Sequence, residues 1–160
     1  MIVDDVLDNR EMYATFLSQA GLRVTLAATA DEAWAQIRHE PPEIVVTDLA
    51  MPGLDGFELC RKIREQRSPH ETGIIALTGL TLKESDIERL IDAGSDRLLL
   101  KPCLPSTLLV EIRQVLEQGA ALRLKSTEHC TKAKELSEKS STVREWSANL
   151  QRQLSNWRRR

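Results

Sequence analysis

Four short apolar runs in this chain each stop at a residue able to do chemistry. Ile2-Val3 runs into the acidic pair Asp4-Asp5, Ile44 to Thr47 stops at Asp48, Ile74 to Leu77 stops at Thr78, and Leu98 to Leu100 stops at Lys101. In an open parallel sheet, side chains just past the carboxyl ends of the strands collect along one edge. Three carboxylates gathered there would repel one another by roughly 4 kcal/mol per pair at 4 Å and an effective dielectric near 20. A hard divalent cation such as Mg²⁺ relieves that repulsion, because it accepts one or two carboxylates together with water and phosphate oxygens. A hydroxyl and an ammonium alongside would complete a site for a phosphoryl group, and one carboxylate could act as the nucleophile that forms an acyl phosphate. An acid closing a strand is ordinary by itself. Four strand ends in register carry the expectation.

The elements that must position these residues alternate along the chain. The four β-branched residues Ile44 to Thr47 suit a strand buried on both faces. Pro52-Gly53 then marks a tight turn, and Asp55 can cap a helix from about Gly56 to Gln66. Upstream, Ile2-Val3 predicts a very short strand. Met12, Phe16 and Leu17 predict a helix from Asn9 to Ala20, stopped by Gly21. Leu22 to Leu26 alternates as a strand would, and Thr29 or Asp31 can cap a helix that ends before Pro41-Pro42. Downstream, Gly73 opens the run ending at Thr78, a helix is predicted from about Lys83 to Ala93, Arg97 to Leu100 forms the last strand, and Pro105 sits in the first turn of a final helix. Strand and helix thus alternate five times within residues 1–118. The pattern predicts an α/β domain, a doubly wound (βα)5 parallel sheet with right-handed crossovers and helices on both faces.

Composition excludes several classes. No run approaches the roughly 18 apolar residues of a membrane span, and Met1 to Asp8 carries acids where a signal peptide would be basic and then apolar. The cytoplasm is the expected compartment. Cys60, Cys103 and Cys130 are odd in number and lack metal-ligand spacing, so they are expected as reduced thiols. Residues 1–118 hold 12 Lys/Arg against 20 Asp/Glu, whereas residues 119–160 hold 10 against 4, so an acidic body carries a basic extension.

The Asp4-Asp5 pair, Asp48 to Gly56 (DLAMPGLDG), Leu77-Thr78-Gly79 and Lys101-Pro102 together closely resemble the receiver domain of bacterial two-component response regulators. The resemblance covers residues 1–118. It implies a flavodoxin-like fold with strand order 2-1-3-4-5 and assigns roles. Asp48 is the expected phosphoacceptor, taking a phosphoryl group from a histidine kinase or histidine phosphotransfer protein and then switching contacts with a downstream effector. Asp5 is the expected direct Mg²⁺ ligand with Asp48 and the Ala50 backbone carbonyl, and Asp4 acts through water. Thr78 and Lys101 are the expected phosphoryl-binding and switch residues, and the peptide before Pro102 is expected to be cis.

Two departures from the family pattern stand out. Leu98 occupies the place, three residues before Lys101, where most members carry the Tyr or Phe of an aromatic switch, so a muted or differently routed response is expected on the face formed by the predicted helix before Arg97, the last strand and the helix after Pro105. Family members also usually begin several residues before the acidic pair, and a start upstream of Met1 is the favoured expectation. Ala50 and Leu80 flank the site and should affect water access. A haloacid-dehalogenase-type phosphatase would need a second Asp two residues after the nucleophile, where this chain has Ala50. No Gly-rich loop follows the first strand, which argues against dinucleotide binding.

Beyond residue 118, Leu122, His129, Leu136, Val143, Leu150 and Trp157 recur every seven residues, with polar interruptions at Ser126, Ser140 and Ser147. The extension at 119–160 is expected to be a helical linker or a weak coiled coil that forms a homodimer. The stretch around Trp146 loosely resembles linkers that precede cyclase or cyclic-dinucleotide phosphodiesterase domains. Arg158-Arg159-Arg160 lacks an accompanying helix-turn-helix or aromatic–basic interleaving, so direct DNA binding is not expected. Two functions are weighed: a phosphorylation-dependent switch without a catalytic domain of its own, and a phosphorylation-independent scaffold.

Overall fold

Ile44–Asp48 forms the buried strand that its β-branched run predicts, and the rest of the sheet is assembled around it. The structure, a computed structural model, describes residues 1–53, 55–68, 71–79, 88–89 and 92–125. The strands are β1 (Ile2–Val3), β2 (Leu26–Ala27), β3 (Ile44–Asp48), β4 (Gly73–Thr78) and β5 (Arg97–Leu100), and the helices are α1 (Leu7–Gln19), α2 (Ala30–His39) and α3 (Gly56–Gln66). A further helix, α4, covers 105–121; residues 88–89 and 92 are also helical. All pairings are parallel and the order is β2-β1-β3-β4-β5, as expected. Among the described residues no helix is long and apolar enough to cross a membrane.

Period-two alternation explains how one sheet supports two helical layers. Val3, Val45 and Ile74 face α2 and α3, where they pack with Ala33, Ile37, Leu59 and Ile63. Ile2, Ile44, Val46, Ile75 and Leu77 face the other way, onto Tyr13 and Leu17 of α1 and Leu108, Ile112 and Val115 of α4. Successive strand residues point to opposite faces, so a continuous apolar run is what a sheet covered on both sides requires.

Local signals fix several boundaries. Thr29 accepts a hydrogen bond from the Glu32 N–H and caps α2, and Asp55 does the same for α3 through the Glu58 N–H. Two boundaries differ from expectation. Leu22 to Leu26 alternates, yet β2 is only Leu26–Ala27, because its partner β1 offers two residues to pair with. Helix α1 begins at Leu7 rather than Asn9, since the Asp4 carboxylate accepts the Val6 N–H and closes a turn ahead of it.

The chain divides into two compact units, Met1–Ala121 and Leu122–Arg160. Of the second, residues 122–125 are described and are helical. The seven-residue seam from His129 to Trp157, Leu80 and most of the predicted helix from Lys83 to Ala93 lie outside the described residues.

Candidate functional site

Four strand ends meet at the carboxyl edge of the sheet. β1 and β3 are neighbours, with Val3 beside Thr47, so Asp4 and Asp48 follow side by side. β4 and β5 pair Thr78 with Leu100, which places Lys101 immediately beyond. The Lys101 N–H donates to the Thr78 carbonyl over 2.7 Å and fixes the backbone there. The Lys101–Pro102 peptide is cis.

The Lys101 ammonium donates to Asp4 Oδ2 at 2.7 Å and to Asp48 Oδ2 at 2.6 Å, so one cation bridges two carboxylates. Asp4 is 1 % exposed and Asp48 7 %, which makes these charge-assisted bonds shielded ones. Burial alone would push the Lys101 pKa down, but its hydrogen bonds to Asp4 and Asp48 outweigh that and raise it. Asp4 is further held by the Val6 N–H at 2.9 Å and by Asn9 Nδ2 at 3.3 Å from each oxygen. Asp48 Oδ1 accepts the Ala50 N–H at 3.0 Å.

Asp5 differs from Asp4 in being exposed. Asp4, Asp5 and Asp48 can each offer a carboxylate oxygen such that the three lie within 4.8 Å of one another. Oxygens bound to one ion at 2.0–2.1 Å stand about 4 Å apart or less, so a small adjustment would let this hard-oxygen set hold a divalent cation of Mg²⁺ size. A cation is already drawn there in the form of Lys101.

Gly53 has φ +84°, a left-handed conformation that glycine adopts without a side-chain penalty. A Cβ at Gly56 would collide with the Asp48 carbonyl oxygen, so glycine lets α3 start directly against the strand end. Thr78 is fully buried at the end of β4, and Ala50 is exposed. Leu98 joins a small apolar cluster with Leu49, Ala76 and Phe57 rather than the polar group.

Sequence reasoning brought Asp4, Asp5, Asp48, Thr78 and Lys101 to this edge, but it missed the contribution of α1. Asn9 reaches the Asp4 carboxylate, and Arg10 Nη1 donates to the Asp4 carbonyl at 2.5 Å. A polar pair in the first turns of the helix after the acidic residues was the available signal.

A family model described as the response regulator receiver domain matches residues 1–113. The chain is 33% identical over 122 residues to the response regulator Rre1 of Synechocystis, an alignment covering 76% of this chain and 52% of Rre1, so the chain spans about half the length of that relative. Among solved structures, the chemotaxis protein CheY4 of Vibrio cholerae is similar at 32% identity and a TM-score of 0.66, with 72% of this chain and 95% of CheY4 covered. A two-component system response regulator/GGDEF domain protein is similar at 29% identity and a TM-score of 0.68, covering 74% of this chain and 49% of that one.

Proposed function

Since the chain belongs to the response regulator receiver domain family, we propose that it is a phosphorylation-dependent switch whose acceptor is Asp48. An Asp48 carboxylate oxygen attacks the phosphorus of a phosphohistidine on a histidine kinase or phosphotransfer protein. The new O–P bond forms as the P–N bond breaks, and the electron pair leaves with the imidazole nitrogen. Lys101, already 2.6 Å from Asp48, follows the added charge onto a phosphoryl oxygen, and the Thr78 hydroxyl donates to another. Mg²⁺, held by Asp5, Asp48 and the Ala50 carbonyl with Asp4 acting through water, would supply positive charge against the phosphoryl oxygens. Residues 1–118 form the switching domain, and the extension at 119–160 pairs two copies. The product is a changed surface read by an effector protein in the cytoplasm.

The observation that carries this is the bridge from Lys101 to both Asp4 and Asp48 at the strand ends, with Asp5 beside it. Incubation with acetyl phosphate and Mg²⁺ should add one phosphoryl group to the intact mass, and Asp48→Asn should take up none. No adduct on the wild type would favour a phosphorylation-independent scaffold. A second reading, a receiver that serves a cyclase or cyclic-dinucleotide phosphodiesterase domain, is supported by the similarity to the GGDEF protein, of which this chain covers about half. Sequencing the chromosomal locus beyond the codon for Arg160 tests it; a stop codon there would count against it.

A further inference from the structure

The chain contains a single tyrosine. Tyr13 lies on the buried face of α1, 2 % exposed, where its ring packs in the cluster with Leu17, Leu108 and Cys103. A buried ring at helical spacing is ordinary core. Its hydroxyl is not ordinary, because it donates at 2.9 Å to the Cys103 carbonyl, 90 residues away in sequence and two residues past Lys101. Burial, followed by the nearby Cys103 thiol, pushes the Tyr13 pKa up, so the phenol stays a donor at neutral pH.

The backbone around Lys101 is therefore anchored twice. Its own N–H is held by the Thr78 carbonyl, and the carbonyl two residues on is held by Tyr13. Tyr13 follows Asn9 by four residues and Arg10 by three, so it neighbours each of them on the helix surface. Asn9 and Arg10 hold Asp4, while Tyr13 holds the loop carrying the ammonium that bridges Asp4 to Asp48. We propose that Tyr13 is a positioning residue that sets Lys101 between the two carboxylates and passes its movement to α1. This rests on the phosphoacceptor role given to Asp48, and it supplies a route that does not need an aromatic side chain at Leu98.

The test uses the full chain labelled with ¹³Cζ-tyrosine, which gives one resonance. Beryllium fluoride with Mg²⁺ serves as the phosphoryl mimic, and ¹⁹F signals report its binding independently. With the mimic bound, the Tyr13 resonance is expected to shift by more than its linewidth in the wild type and to stay in place in Lys101→Met. Bound mimic with an unmoved resonance overturns the inference alone, as does a shift that persists unchanged in Lys101→Met, which would mean a direct field effect. Absence of bound mimic on the wild type would overturn the phosphoacceptor role itself. In parallel, Tyr13→Phe should slow modification by acetyl phosphate about 3- to 10-fold, the weight of one hydrogen bond. It should slow Lys101→Met no further; equal slowing in both backgrounds marks a merely structural phenol. If Tyr13→Phe does not fold, the wild-type resonance still decides.

Discussion

Two cation–carboxylate groups sit at opposite ends of the same strands, and they are built differently. Where β4 and β5 begin, Arg64 from α3 spends all three of its nitrogens: Nε on the Gly94 carbonyl at 2.6 Å, Nη1 on the Thr72 carbonyl at 2.7 Å and Nη2 on Asp96 at 2.6 Å. Asp96 Oδ2 also accepts the Ile74 N–H at 2.7 Å. Each nitrogen of the planar guanidinium has its own acceptor, which fixes the fork in place. Where the strands end, a point-like ammonium is shared by two carboxylates, and the exposed Asp5 stands next to them. A lysine there can be redirected onto an incoming anion without stranding a rigid fork. The first group braces the sheet, and the second is the one the proposed function asks to change partners.

That contrast breaks if the two groups respond alike. Arg64→Ala should cost about 3 kcal/mol in urea unfolding, because Asp96 and two carbonyls lose their donors in a largely buried place. Mg²⁺ should not restore it, and uptake of the phosphoryl group should persist. A loss below about 1 kcal/mol would remove the brace from the account.

A second buried cation at the amino end of the sheet sharpens the point through pH. The Met1 ammonium donates to the Ile44 carbonyl at 2.8 Å, and burial lowers its pKa from 8.0 to about 6. The folded state therefore binds this proton less tightly than the unfolded state. The penalty is complete below pH 6 and fades as pH rises toward 8. In the polypeptide that starts at Met1, stability should climb by about 2 to 3 kcal/mol across that window. Acetylating the amine should abolish this part of the slope, and the adjoining cavity of about 360 Å³ gives the acetyl group room. An unchanged slope would show that other groups produce it.

At the open group the loss should depend on metal. Lys101→Ala leaves Asp4 and Asp48 facing each other without their ammonium. It should destabilise the metal-free protein by about 3 kcal/mol, because two buried carboxylates lose their cation, and millimolar Mg²⁺ should recover most of the loss by binding the folded state. A Mg²⁺ response equal to that of the wild type would mean that the ammonium and the metal do not share these carboxylates.

How much of this was legible depended on how local each cause is. Ile44 to Thr47 and Ile74 to Thr78 announce buried strands by their own chemistry, and Asp55 and Gly56 fix the start of α3 within a few residues. The extent of β2 was illegible because its length is set by β1, a partner more than 20 residues away. At the site, strand-end logic gathers Asp4, Asp48 and Lys101 without knowledge of any contact. Tyr13 escapes it, because a tyrosine at helical spacing reads as core and its acceptor is a backbone carbonyl from the far end of the domain. Asn9 escapes for a related reason: it serves Asp4 across the turn that opens α1.

Within the open group, Asp48 is the proposed phosphoacceptor. Borohydride reduces an aspartyl phosphate to homoserine, so protein treated with acetyl phosphate and Mg²⁺ can be trapped, digested and sequenced by mass. Homoserine is expected at position 48, with Asp96 and the rest of the closed group untouched. Homoserine at position 4, 5 or 96, or at none, would contradict it.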